Sequence, residues 1–144
     1  MLMALLSAVT GEPLAGYEAM QTAFRVVFDM QADEDGDPGP EGVHQDSADV
    51  TAILLVGRDN VQGGVNRVWT LDQPSGKSCD ADLTSGRLLL ETTLLHPMDM
   101  LILCDREVRH EVTSVAPQDA MHRALRDVLT YELRRAPLDG RGGS

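Results

Sequence analysis

The apolar positions of this chain change period near residue 25. From Met1 to Phe24, Leu2, Leu5, Leu6 and Val9, then Leu14, Tyr17, Met20 and Ala23, recur every three or four residues. That spacing predicts one or two short helices, interrupted at Gly11-Glu12-Pro13. From Arg25 onward, short β-prone runs alternate with Gly, Pro, Asn and Asp, the signature of an all-β sandwich or barrel. The expected strands are Ala23 to Gln31, Gly42 to Asp46, Val50 to Val56, Asn66 to Leu71, Arg87 to Leu94, Met100 to Cys104, Val108 to Val115 and Arg126 to Leu133. Turns are expected at Asp33 to Pro40, Arg58 to Gly64, Asp72 to Ser85, Leu95 to Asp99 and Ala116 to Ala124. The division that follows is a helical segment over residues 1–22, a β domain over 23–135 and a flexible Gly-rich tail over 136–144.

Length and charge narrow the function classes. A chain of 144 residues makes one domain and buries about two-thirds of its unfolded surface, enough for a real core. Lysine and arginine number 12 against 23 acids, a net charge of −11 that repels phosphate backbones and excludes nonspecific nucleic-acid binding. Met1 to Val9 is apolar but lacks a basic flank, so neither a secretion signal nor a membrane span is expected. Two cysteines, Cys79 and Cys104, make no disulfide framework, and a reducing cytoplasm is the expected setting. Asp33 to Pro40 lacks the alternating ligands and closing glutamate of a calcium loop, and reads as a solvated acidic loop.

Chemistry concentrates at His44-Gln45-Asp46. In an extended chain, residues two apart project from one face, so His44 and Asp46 form half of a metal site. Fe(II) with open coordination positions takes two imidazoles and one carboxylate, and His110, centred in a strand-like run, is the natural third ligand. Chance triplets and ordinary strand histidines are the plain alternative. Near the C-terminus, Arg126, Val128, Thr130 and Glu132 share one strand face, while Asp127, Leu129, Tyr131 and Leu133 share the other. Facing inward, Arg126 requires an anion such as a dicarboxylate; facing outward, it pairs with Asp127 or Glu132. The strand pattern alone leaves both open. Cys104 reads as a small buried hydrophobe, Trp69 and Tyr131 as core, and His96 and His122 as surface.

The stretches Gly39 to Asp46, Val50 to Val56, Asn60 to Gly64, Pro97 to Leu103, His110 to Pro117 and Arg126 to Leu129 stand in this order along the chain. In that order they resemble the bacterial Fe(II)- and 2-oxoglutarate-dependent dioxygenases that include the L-isoleucine hydroxylase. The resemblance covers roughly residues 24 to 135. It implies a double-stranded β-helix, a cupin-like jelly roll, with iron held by His44, Asp46 and His110. It implies that Arg126 clamps the distal carboxylate of 2-oxoglutarate, with Arg123 as the fallback. It further implies O2 as cosubstrate, a free amino acid or similar small metabolite as substrate, and succinate and CO2 as products. The alternative is a catalytically silent β-helix serving as a binding or assembly module.

Three departures from the family pattern bear on substrate and assembly. Few residues precede the first expected strand, so the apolar face bearing Leu129, Tyr131 and Leu133 needs cover from Met1 to Tyr17 or from a second subunit, and a homodimer is expected. Gln31-Ala32-Asp33 stands where the family tends to carry Gln-x-Arg, reversing a local charge. Asp72 to Ser85 reads as an inserted flap.

Overall fold

A computed structural model of the chain describes residues 7–8, 11, 16–28, 42–76 and 85–136. Nine strands lie among them: β1 (Tyr17–Phe28), β2 (Val50–Asp59), β3 (Val61–Gly63), β4 (Val65–Thr70), β5 (Leu88–Thr93), β6 (Met100–Leu103), β7 (Val108–Val112), β8 (Val115–Pro117) and β9 (Ala124–Arg135). They form a four-stranded sheet in the order β1-β9-β2-β6, a three-stranded sheet β5-β4-β7 and a two-stranded ribbon β3-β8. All pairings are antiparallel, and the non-consecutive neighbours are those of a jelly roll.

The core lies between the two larger sheets. Ile53, Leu55, Leu101, Leu103 and Val128 project from the four-stranded side onto Val68 and Leu94. These are alternate positions of β2 and β6, with Val128 the apolar contribution of β9. Val50, Ala52 and Leu133 form a second buried cluster with Tyr17, Met100, Ile102 and Tyr131. By the alternation of β2 and β9, this cluster occupies the outer face of the same sheet. Of the outer apolar positions anticipated from the sequence, Leu133 is buried at 1% exposure and Tyr131 packs on this cluster, while Leu129 is partly exposed and lies outside it.

The largest correction concerns residues 17–22, which the sequence spacing assigned to a helix. They are strand: β1 pairs with β9 along its whole length, from Tyr17↔Arg135 to Phe28↔Ala124. The three-residue apolar spacing is outweighed by a twelve-residue ladder that satisfies the backbone, and by the β-prone run Phe24-Arg25-Val26-Val27-Phe28. Among the described residues only Ser7 and Ala8 are helical, and the remainder of residues 1–15 apart from Gly11 lies outside them.

Smaller differences follow the same logic. The segment expected as a turn from Arg58 to Gly64 carries the end of β2 and all of β3. Val108 to Val115 splits into β7 and β8, and Gly42 to Asp46 is reduced to single bridges at Val43 and His44. Cys104 is exposed rather than buried, because it follows the last residue of β6 and opens the turn to β7. The acidic loop, Gln31 to Asp33, Cys79 and the residues after Ala136 lie outside the described residues.

Candidate metal centre

Backbone pairing brings the two histidines together. His44 and His110 exchange both of their N–H···O=C bonds, each at 2.9 Å, so one short bridge fastens the His-x-Asp segment to β7. Val43 is tied in the same way to Gly76. The two imidazoles then stand side by side, with ring centroids 4.3 Å apart and planes tilted by 56°. Asp46, two residues beyond His44, places Oδ1 3.5 Å from His44 Nε2 and Oδ2 3.3 Å from His110 Nε2. One donor atom from each of His44, Asp46 and His110 lies within 4.8 Å of the others. Two imidazole nitrogens and one carboxylate oxygen at this separation suit Fe(II) with positions left open for other ligands.

The orientation of His44 is set from behind. Its Nδ1 lies 2.9 Å from the carbonyl of Gly42. A carbonyl only accepts, so Nδ1 carries the proton and Nε2 keeps its lone pair toward the cluster. His110 is buried, and both of its ring nitrogens lack a hydrogen-bond partner of good geometry among the described residues. A buried imidazole left in that state fits a site built to receive a cation. Burial pushes the His110 pKa down, but the nearby carboxylates of Asp105 and Asp46 overcome it and carry it up to about 9. The same proximity to His110 outweighs burial at Asp46 and holds its carboxyl below the usual range.

Asp105 was not singled out from the sequence. It is 0% exposed, and its Oδ1 lies 3.2 Å from His110 Nε2. Its backbone is held by Asp49 and by the side-chain amide of Gln45. An aspartate in a turn between two strands carries no sequence signal of this role, because only the fold carries it under His110.

Beyond the cluster opens a cavity of about 670 Å³, its solvent-filled mouth included. Phe24, Ile53, Val112 and Val128 line its apolar wall, and Arg126 lines its far end. The open question about Arg126 is thereby answered: it is 2% exposed and points inward. Among the described residues no hydrogen bond or ion pair engages its guanidinium. Burial, and next the charge of Arg58, lower its pKa to about 10. Arg58 has a buried Nη1 without a partner, while its Nη2 donates to the carbonyls of Val61 and Gly63. Gly64 makes room for both: a Cβ there would lie 3.1 Å from Arg126 Nε and 3.3 Å from Arg58 Nη1. A buried cation without an anion is costly, so this end of the cavity is shaped to receive one. Arg123 is exposed and does not line the cavity.

A sequence profile described as "2OG-Fe dioxygenase" matches residues 2–132. The chain belongs to the 2OG-Fe dioxygenase family. Among curated proteins, the Bifunctional enzyme flvA of Aspergillus flavus is 32% identical over 106 residues, which are 73% of this chain and 13% of that protein. Among solved structures, a bsmA homolog from Methylobium petroleophilum PM1 superposes with a TM-score of 0.68 at 31% identity, covering 92% of this chain and 47% of that one. The Fe(II)/(alpha)ketoglutarate-dependent dioxygenase TqaL superposes with a TM-score of 0.70 at 24% identity, covering 89% and 45%. The chain thus spans about half the length of these solved relatives and about an eighth of the curated one. Family membership implies Fe(II), 2-oxoglutarate and O2, and the His-Asp-His cluster is chemically suited to that metal.

The remaining histidines lie apart from this centre. His96 and His122 are at the surface, paired with Asp99 and Asp119 respectively. Trp69 is buried, and Tyr131 packs on the outer cluster. No helix among the described residues is long and apolar enough to cross a membrane.

Proposed function

We propose that this chain is the core of an Fe(II)- and 2-oxoglutarate-dependent dioxygenase that hydroxylates a free amino acid or a similar small metabolite, releasing succinate and CO2. The observation that supports it most is the coincidence, in one cavity, of the His44–Asp46–His110 cluster with the buried, unpartnered guanidinium of Arg126. In this reading His44, Asp46 and His110 hold the metal, which when bound supplies the oxidising chemistry that the side chains lack. Arg126 binds the distal carboxylate of the oxoacid through its planar fork, and Phe24, Ile53, Val112 and Val128 exclude water from the space between. Asp105 adds a second buried carboxylate beside the His110 nitrogen that faces Asp46. The homodimer and the cytoplasmic setting belong to the same reading, and a concentration-independent monomer in sedimentation would remove the dimer.

The test is anaerobic addition of Fe(II) and then 2-oxoglutarate to the purified chain. A visible metal-to-ligand charge-transfer band is expected, followed on aeration by succinate release with a subset of free amino acids. Absence of the band at saturating reagents would instead establish the silent binding module.

A further inference from the structure

The inward face of β9 is charged oppositely at its two ends. Arg126 and Glu132 both line the cavity, six residues and about 20 Å of extended strand apart. Glu132 stands directly across the β2–β9 ladder from Thr51. The Thr51 hydroxyl in turn lies 3.5 Å from Asp46 Oδ2, so Glu132 flanks the histidine–aspartate cluster on the side away from Arg126. One step farther out on the same face, Arg134 Nη2 donates to Glu132 Oε2 at 2.9 Å. The Glu132 side chain is 19% exposed and that of Arg134 is 50% exposed. The mouth thus presents an anion on the cavity wall with a half-exposed cation beside it.

We propose that Glu132 and Arg134 are the substrate anchor, Glu132 receiving the α-ammonium and Arg134 the α-carboxylate of a free amino acid. The inference rests on the reading of the site given under Proposed function and adds the residues that select the substrate. An adjacent carboxylate and guanidinium mirror the charges of a zwitterion, and both can exchange their mutual contact for the ligand at little cost, because a half-exposed pair two residues apart on a strand contributes little to stability. The amino-acid side chain then extends past Thr51 and Thr130 toward the ligand cluster.

The experiment uses the chain loaded with Fe(II) and 2-oxoglutarate and, as probes, the twenty common L-amino acids with their N-acetyl and carboxamide derivatives. At least one free amino acid is expected to stimulate succinate release, and the derivatives, each lacking one charge, to lose at least tenfold in kcat/KM. Glu132→Gln should raise KM for that amino acid at least tenfold with kcat within threefold, and Glu132→Asp should recover part of the loss. Arg134→Gln should raise KM severalfold. Calorimetric titration of the same amino acid into protein loaded with Zn(II) and 2-oxoglutarate should show matching losses in affinity, with the affinity for 2-oxoglutarate itself unchanged within twofold. Turnover of a free amino acid with unaltered KM in Glu132→Gln and Arg134→Gln overturns the anchor and leaves the proposed function standing. A charge-transfer band without stimulation by any free amino acid overturns both the anchor and the amino-acid reading. If Glu132→Gln fails to fold, Arg134→Gln and the derivatives decide alone.

Discussion

Arg58 and Arg126 face each other across the β2–β9 ladder, and a one-residue bulge at Val56 turns Arg58 to that side. Up to Leu55, the inward residues of β2 are Thr51, Ile53 and Leu55, so an unbroken strand would send Arg58 outward. The extra residue reverses the alternation and brings a second guanidinium beside the first, with Gly64 leaving space for both.

Arg126 is therefore a binding group held at the expense of stability. Its folded pKa of about 10 lies below the ordinary arginine value, so the unfolded chain holds the proton more tightly. The charge destabilises the fold at every pH below about 10, and that cost fades as pH rises above it. Arg126→Met is expected to raise the stability of the metal-free protein at pH 7 by about 2 kcal/mol while abolishing 2-oxoglutarate binding. Urea denaturation with and without 2-oxoglutarate checks both halves. Arg126→Lys should weaken the oxoacid rather than eliminate it, because an ammonium lacks the two-pronged contact.

His110→Ala and Asp46→Ala remove one ligand atom each from the cluster. Both should lose the charge-transfer band and iron-dependent succinate release. Circular dichroism should show the β fold retained, since neither residue belongs to the main apolar cluster. Normal turnover in His110→Ala would exclude it as a ligand.

Asp105→Asn keeps the shape of the buried side chain and removes its charge. Its Oδ1 lies beside the same His110 nitrogen that faces Asp46, so removing this buried charge is expected to weaken a divalent cation held by the cluster. Competition with a chelator for Mn(II) or Zn(II) measures this directly, and an unchanged metal affinity would assign Asp105 to folding alone.

Gly64→Ala introduces a Cβ 3.0 Å from Val115 Cγ1 and 3.1 Å from Arg126 Nε, at a backbone φ of +66°. The left-handed conformation and the crowding together should cost about 1–3 kcal/mol. Displacement of the guanidinium should also weaken 2-oxoglutarate, seen as a higher concentration needed to saturate the charge-transfer band.

Much of the site was legible from neighbours in the chain. His44 and Asp46 share a face because strand residues two apart do so, and the β-prone runs between turn residues foretold an all-β architecture. The inward set Arg126, Val128, Thr130 and Glu132 follows from the same alternation, although the direction that set faces does not. Tyr17 to Thr22 misled because three-residue spacing over a short span fits a helix, whereas pairing with β9 has no local trace. The exposure of Cys104 likewise depends on where β6 stops.

Local periodicity, turn residues and charge balance are properties of nearby residues, and these the chain declares by itself: a β-rich domain, a His-x-Asp half-site and an acidic surface. Tertiary structure alone decided that His110 lies against His44, that Asp105 is buried beneath His110, and that Arg58 stands beside an inward Arg126. Each of these depends on register between strands distant in sequence, and one bulge at Val56 suffices to change which side chains meet.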